Sequence, residues 1–404
     1  MALYLYLPLL LLSYLLLQRL LRFRRRDSHA LPFPTRATYS TMTLSQAYEI
    51  HYALTAMEFP TVFNQSIFFA LFKTYGIPSI SRLLAATTQL SAPATASKRA
   101  ADTGVLLTEI FLHPPDDPRT VAAFARMNYL HARYRKAGKI SDEDMLYTLS
   151  LFVLEPVRWT ERYEWRALSE VERAALGMYW RWIGEQMRIP FKGLRGAEEG
   201  WKDGLEFLEA LEEWSTRYEE REMVPAESNA TLAKGTVEIL LTNVPGWARG
   251  AAMEGIRGVM EGRLRRAMLF EDPARASQMV LSTVLGARKW VIGNLFLPRP
   301  YVLRWRWFTD RPDENGRYHA TQYTDHPWYV KPTISSRWGM SALLLRFVGG
   351  KIPGGSGGEK FLPQGYKIDE VGPDAQIGKG GKEMEEEKIR LSADPRLGCP
   401  FAAW

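Results

Sequence analysis

Cysteine is almost absent from this sequence of 404 residues, in which Cys399 is the only copy. A disulfide framework and a metal site built from cysteines are therefore excluded, and the lack of disulfides is typical of a domain that faces the cytosol. Histidine is scarce as well, with six copies. Five of them lie too far apart to form a recognisable metal-binding motif, namely His29, His51, His113, His319 and His326.

The sequence also lacks several common catalytic signatures. It contains no P-loop, no dinucleotide-binding fingerprint, no HExxH zinc motif and no GxSxG nucleophile motif. The chain outside its N-terminal region is not strongly basic either. The formal net charge is +7, and five arginines lie within residues 19–26, so the rest of the chain carries a net charge of only +2. We therefore expect no nucleic acid among the partners of this protein.

What the sequence does contain is a long apolar run at its start. Residues 2–17 include no charged residue, and Leu20, Leu21 and Phe23 extend the run. A helix of about 20 such residues spans a bilayer. The arginines follow the run, whereas a secretory signal has its positive residues first and ends at a cleavage site. The pattern predicts an uncleaved single-pass helix with a lumenal N-terminus and a cytosolic domain; a helix lying in the interface is the alternative.

The rest of the chain is typical of an all-α protein. Successive helical patterns without convincing strands predict a helical-bundle domain over residues 44–330, and the 13 Trp, 18 Tyr and 18 Phe indicate a sizeable core. Residues 1–26 are the predicted anchor with its basic flank, and residues 27–43 are a predicted linker. Residues 301–308 are expected to form a short strand or a lid over a pocket. Residues 331–404, rich in Gly, Lys and Glu towards their end, are predicted to be an extended, partly disordered tail.

One predicted helix carries the candidate chemistry. The spacing predicts a helix over residues 118–137 with Asp117 as its N-cap. At about 100° per residue, Arg126 and Arg133 lie roughly 140–160° from His131 around this helix. His131 shares its own arc with apolar and aromatic residues, which are Phe124, Met127, Leu130 and Tyr134. We therefore expect His131 on the inward face, with the two arginines bordering it.

An imidazole in an apolar environment stays neutral, because desolvation disfavours its cation. Neutral imidazole is the form that an axial haem ligand requires. Arginines at the border of such a site suit haem propionates or another anionic group. The alternative is a core histidine that is hydrogen-bonded to a carbonyl group, and the spacing of His131 alone favours this alternative.

The following predicted helix, residues 141–159, contains a charged pair with two interpretations. Glu155 and Arg158 are three residues apart, which suits an ion pair on one helix face. Glu155 is also a candidate for a carboxylate that orients Arg126 or His131 in a functional site. The sequence favours the ion pair.

Three stretches, residues 57–84, 125–159 and 162–184, resemble the fungal ER-bound oxygenases of the mpaB family, which is distantly related to the bacterial rubber oxygenases. The resemblance extends to the N-terminal anchor. It implies a single transmembrane helix followed by a helical oxygenase-like domain at the endoplasmic reticulum membrane. It also implies dioxygen-dependent cleavage of a carbon–carbon double bond in a prenylated or other lipophilic secondary metabolite.

In the rubber-cleaving relatives, haem b performs this chemistry with the help of an arginine on the equivalent helix. The resemblance therefore implies that Arg126 is catalytic and contacts the cofactor, with Asn128 and Arg133 as supporting residues. Those relatives take their proximal histidine from the following helix, and residues 141–160 contain none. Either His131 is the iron ligand, or this branch binds iron differently, or it binds none. A non-catalytic, membrane-tethered carrier of lipophilic ligands is the corresponding alternative function.

Overall fold

The computed structural model describes residues 2–87, 93–355 and 358–393. The all-α prediction is confirmed, because these residues contain no β-strand and only three isolated β-bridges. The first helices are α1 (Ala2–Arg22), α2 (Arg24–Ala30), α3 (Leu44–Ala53), α4 (Pro60–Thr74), α5 (Pro78–Ala86), α6 (Pro93–Phe111), α7 (Pro118–Lys136), α8 (Asp142–Tyr163) and α9 (Glu170–Gln186). The later helices are α10 (Gly204–Glu222), α11 (Glu227–Leu240), α12 (Arg249–Val259), α13 (Gly262–Ala267), α14 (Arg275–Leu295), α15 (Ile334–Trp338), α16 (Met340–Phe347) and α17 (Gly381–Ser392).

The helix boundaries follow the capping chemistry of the sequence. The Asp117 carboxylate accepts a hydrogen bond from the Arg119 amide at the start of α7. Ser169 and Glu172 form a reciprocal capping box at the start of α9. Such side chains satisfy amide groups that have no partner inside the helix. The predicted helix over residues 118–137 therefore agrees with α7 to within one residue.

The core lies where α4 packs on α8, α9 packs on α10 and α3 packs on α9. Aromatic side chains fill it, and Tyr147, Tyr179 and Trp180 are almost completely buried. The crossing of α9 and α10 is close because both helices have glycine there. A Cβ atom on Gly177 would collide with the carbonyl group of Gly204.

Residues 27–43, expected to be a linker, are packed against the domain in this structure. Phe33, Tyr39 and Met42 are buried and belong to the main hydrophobic core. A short 3₁₀ helix, Arg36–Thr41, lies within the segment. The Pro, Ser and Thr content of residues 27–43 suggested a linker. Burial of these three large apolar side chains is nevertheless favourable and stabilises the packed segment.

The predicted extended tail also differs from the structure over residues 358–393. Helix α17 packs on α7, and Tyr366, Ile368 and Val371 are buried. Glycines in this segment adopt left-handed backbone conformations, as at Gly380 with φ +78°, and so let the chain turn tightly onto the domain. The predicted disorder of residues 394–404 concerns positions outside the described part of the chain.

The N-terminal helix is long and apolar enough to cross a membrane. Its leucines are mostly exposed, as at Leu7 and Leu10. Its C-terminal end is attached to the domain, since the Arg22 guanidinium lies 3.8 Å from the centre of the Trp165 ring and Arg25 forms an ion pair with Glu58. The basic flank therefore fixes the domain directly to the end of the anchor.

Candidate functional site

A large apolar cavity lies inside the helical domain. Its volume is about 530 Å³, within the range of roughly 300–1,000 Å³ that is typical of small-molecule sites. Helices α4, α6, α7, α8, α9, α11 and α12 contribute to its wall. Aromatic side chains cover much of this wall, among them Phe69, Phe72, Phe152, Trp180 and Trp307. Such a surface suits a long apolar ligand.

Helix α7 contributes Met127, Leu130 and His131 to the cavity wall. This is the arc that the sequence predicted to face inward. The Nδ1 atom of His131 is buried and has no hydrogen-bond partner. Burial lowers the pKa of His131 to about 4, with smaller contributions in the same direction from the positive charges of Arg99 and Arg135. His131 is therefore a neutral imidazole at neutral pH.

Arg126 does not line this cavity. Its side chain is fully buried on the other side of α7 and faces the C-terminal segment. The guanidinium donates hydrogen bonds to the carbonyl oxygens of Val371 at 2.8 Å, Gln376 at 3.1 Å and Lys379 at 3.4 Å. The angular separation between Arg126 and His131 explains this placement. Two side chains about 140° apart around a helix lie on different faces and contact different parts of the protein.

Asn128 and Arg133 also lie outside the cavity wall. The Asn128 amide donates to the Gln186 carbonyl and to the Glu387 carboxylate. Arg133 is exposed and lies 5.0 Å from the ring centre of Tyr134. The structure therefore does not bring the predicted catalytic Arg126, or the predicted supporting residues Asn128 and Arg133, together with His131. They attach the C-terminal segment or remain at the surface.

A different arginine reaches the cavity. Arg99, on α6, lines its wall, and no Asp or Glu among the described residues pairs with it within ion-pair distance. Its positive charge acts on both His131 and Tyr75. Sequence reasoning missed Arg99, because nothing in its local pattern distinguishes it from a surface arginine. Its partner His131 lies on a different helix.

A second imidazole lines the cavity in the segment after α14. His326 Nδ1 lies 3.0 Å from the Asp325 carboxylate, a contact that fixes the orientation of the ring. From the sequence, His326 was one of five histidines too scattered to form a recognisable metal-binding motif. The adjacent Trp328 and Tyr329 donate hydrogen bonds to Ser97 and Asp102 of α6. These bonds hold the segment against the cavity wall.

Residues 301–308 form a turn and an irregular stretch whose end covers the cavity, as expected for a lid. Tyr301–Leu303 is a 3₁₀ turn, and Trp307 and Phe308 line the cavity. The ring of Trp307 meets that of Phe68 edge-on, with centres 6.1 Å apart. Residues 301–308 therefore form no strand, and the lid remains the prediction for their contact with the cavity.

Glu155 belongs to a charged cluster away from the cavity. Lys73 Nζ is completely buried and lies 3.0 Å from both Glu155 and Glu219 and 3.3 Å from Glu261. The predicted pair of Glu155 with Arg158 is confirmed at 3.0 Å. Glu155 contacts neither Arg126 nor His131, so this cluster holds α4 and α8 together and does not orient the cavity residues.

His51 is buried behind the cavity wall. Both of its ring nitrogens lack hydrogen-bond partners, and burial lowers its pKa to about 3. Aromatic rings surround it, with that of Tyr179 closest at 4.8 Å between centres. The rings of Phe111 and Trp180 also contact it, and both line the cavity. His51 is therefore a neutral imidazole separated from the cavity by an aromatic wall.

Comparison with known proteins identifies close relatives. The chain is 38% identical to the ER-bound oxygenase mpaB' of Penicillium brevicompactum over 393 residues, which cover 97% of this chain and 93% of that protein. It is 36% identical to the ER-bound oxygenase mpaB of the same organism over 357 residues, covering 88% and 84%. It is 39% identical to the ER-bound oxygenase mpaB of Penicillium roqueforti (strain FM164) over 265 residues, covering 65% and 89%.

No family model matches the sequence. The relatives nevertheless extend over nearly the whole chain, including the three stretches that carry the resemblance. Sequence identities of 36–39% indicate a common family and not merely a common fold. These relatives, together with the helical fold and an N-terminal helix long and apolar enough to cross a membrane, show that the protein belongs to the mpaB family of ER-bound oxygenases.

Proposed function

We propose that this protein is a haem-dependent oxygenase of the endoplasmic reticulum membrane that cleaves a carbon–carbon double bond in a prenylated or other lipophilic secondary metabolite. The observation that supports this most strongly is the neutral imidazole of His131 at the wall of a large apolar cavity. Its buried Nδ1 has no hydrogen-bond partner, so this nitrogen is not occupied by a contact within the protein.

The residues at the cavity fit haem b. A histidine that holds haem iron must be neutral, and burial keeps the His131 imidazole neutral. A propionate group needs a cation, and Arg99 stands at the wall without a carboxylate partner among the described residues. The remaining wall is mostly apolar and aromatic, as the faces of a macrocycle require. His131 would hold the iron and Arg99 would hold a propionate. This assigns to Arg99 the anion-binding role that the sequence had given to Arg126.

Haem b, when bound, supplies the activation of dioxygen. The chain's own residues bind and orient the substrate. Aromatic side chains such as Phe69 and Phe72 accept a prenyl chain without burying polar groups. The mostly apolar wall would also disfavour water near the double bond. In the overall reaction, the carbon–carbon double bond and both atoms of dioxygen are consumed, and each of the two carbonyl products receives one oxygen atom.

The membrane anchor fits a lipophilic substrate. A prenyl chain partitions into the bilayer, so a tethered enzyme meets it at a raised local concentration. The positions of Arg19, Arg22, Arg24, Arg25 and Arg26 favour a lumenal N-terminus and a cytosolic domain. The expected partners are therefore the bilayer, the lipophilic substrate and dioxygen.

Iron content and oxygen labelling test this function together. Protein purified after expression with haem supply should contain about one iron per chain. With a prenylated phenol and ¹⁸O₂, each carbonyl fragment, trapped at once by reduction, should carry one ¹⁸O atom. Iron far below one per chain, with the phenol bound but unchanged, would instead establish the non-catalytic carrier. Products that take their oxygen from water would exclude the oxygenase reaction.

A further inference from the structure

The residues that follow α14 run beside the membrane helix. The Tyr14 hydroxyl donates to the Leu295 carbonyl at 2.6 Å, and the Gln18 amide donates to the Gly293 carbonyl at 2.7 Å. Since the later residue of α1 pairs with the earlier residue of α14, the two helices run antiparallel. Arg25 also donates to the Arg299 carbonyl at 2.9 Å. The end of α14 therefore lies alongside the half of α1 nearer the domain, and Arg299 in the residues that follow lies beside α2, directly after the anchor.

This segment, residues 295–303, exposes an unusual amount of apolar surface. Val302 is 73% exposed and Leu303 63%. The other large apolar side chains exposed in the segment are Leu295, Phe296, Leu297 and Tyr301. The segment contains no carboxylate. Soluble proteins rarely expose contiguous apolar patches, which mark interaction sites for proteins or membranes. Continuity with α1 identifies the bilayer as the partner here.

The side chains and flanks of the segment suit the headgroup region of a bilayer. Pro298 and Pro300 have no amide hydrogen, which removes two donors that would otherwise need a partner in lipid. The amide of Leu303 donates to the Pro300 carbonyl at 3.0 Å. Just beyond, the Arg304 guanidinium lies 4.4 Å from the centre of the Tyr301 ring. Aromatic and arginine side chains together are typical of the headgroup region.

The same segment leads directly to the cavity. Trp305 is fixed to the domain because its amide donates to the Ala56 carbonyl at 2.8 Å. Two residues later, Trp307 lines the cavity and contacts Phe68, which also lines it and is partly exposed. Only a few residues therefore separate the exposed apolar turn at Tyr301–Leu303 from the lid of the cavity.

We infer that residues 295–303 insert into the cytosol-facing layer of the bilayer beside α1, forming a second membrane contact. The lid residue Trp307 is thereby held at the membrane surface. A lipophilic substrate then passes from the hydrocarbon layer into the cavity at this lid without crossing water. The insertion rests on the observations above and on the proposed topology of α1, whereas the substrate route rests also on the proposed oxygenase reaction.

Fluorescence quenching tests the insertion without requiring haem or activity. The full chain with Cys399→Ser and Val302→Cys is labelled with an environment-sensitive fluorophore and reconstituted in phosphatidylcholine–phosphatidylserine vesicles. We expect strong quenching by spin-labelled lipid and little by aqueous iodide. A matched control is Ile389→Cys, which replaces a similarly exposed apolar side chain on α17 and should show the reverse. Iodide quenching of the Val302 site equal to that of the Ile389 site would overturn the inference.

A second measurement separates the substrate route from the insertion. Val302→Asp places a charge in the inserted turn and leaves the cavity wall unchanged. We expect its KM for a prenylated phenol to rise about tenfold when the phenol is supplied in vesicles, with kcat preserved and little change in detergent micelles. Equal KM values for the variant and the wild type in vesicles would refute the route. An inactive wild type, by contrast, would refute the proposed function and leave the quenching result standing.

Discussion

Replacing Arg126 by alanine distinguishes a structural role for this residue from the catalytic role that family resemblance implies. Its guanidinium makes two well-formed hydrogen bonds to the backbone of the C-terminal segment, to Val371 and Gln376, and a longer one to Lys379. Bonds from a charged donor contribute about 1.5–3 kcal/mol each. We therefore expect Arg126→Ala to weaken docking of the segment by about 3–5 kcal/mol, counting little for the longest bond.

The loss should be local. Residues 358–393 form a peripheral layer on α7, so they can separate while the core remains folded. Hydrogen exchange followed by mass spectrometry should show amide protection in this segment falling about 100-fold or more, since 1.4 kcal/mol corresponds to a factor of ten. Arg133→Ala is the matched control, because Arg133 is exposed on the same helix. Its protection pattern should equal that of the wild type.

One result would refute this reasoning about Arg126. If Arg126→Ala kept full protection over residues 358–393 and lost only iron binding or turnover, the side chain would act at the cavity. The hydrogen bonds to the segment would then have no energetic importance. The family analogy, and not the structure, would give the correct role.

Two further predictions concern stability. Burial lowers the pKa of His51 in the folded state to about 3, below the usual 6.5, so the unfolded state binds more protons as the pH falls. The free energy of unfolding should therefore be highest above pH 6.5 and should fall by about 2 kcal/mol between pH 7 and pH 5 on account of His51. Urea unfolding of His51→Leu should show a shallower pH dependence, and an unchanged slope would contradict the burial argument. Gly380→Ala should release α17 from α7, because the new methyl group collides with the Tyr129 ring. The control is Gly378→Ala, since Gly378 has a similar φ and open space around it. Equal amide protection of α17 against hydrogen exchange in both variants would contradict the steric argument.

The features that the sequence predicted well are those set by local physics. The start of α7 follows from Asp117, and the inward position of His131 follows from helical periodicity. The long apolar run gave the candidate membrane helix for the same reason. Each of these depends on residues within one or two helical turns, so no knowledge of the tertiary structure was required.

The features that it did not predict depend on contacts between distant residues. Arg126 finds its partners about 250 residues later in the chain, and no local pattern reveals that pairing. The Gly-rich composition of the tail suggested disorder, yet buried side chains such as Tyr366 hold part of it in place. Arg99 and His131 line the same cavity only because α6 and α7 pack together. The cavity residues therefore could not be assembled from sequence periodicity alone.

The central claim is that His131 is the protein ligand of a haem iron in this cavity, and an absorption spectrum tests it most directly. The purified wild type should show a Soret band that is lost in His131→Ala and retained in His113→Ala and His326→Ala, with all three variants folded by circular dichroism. His326→Ala is the more demanding control, since His326 also lines the cavity. A Soret band that survives in His131→Ala would contradict the account.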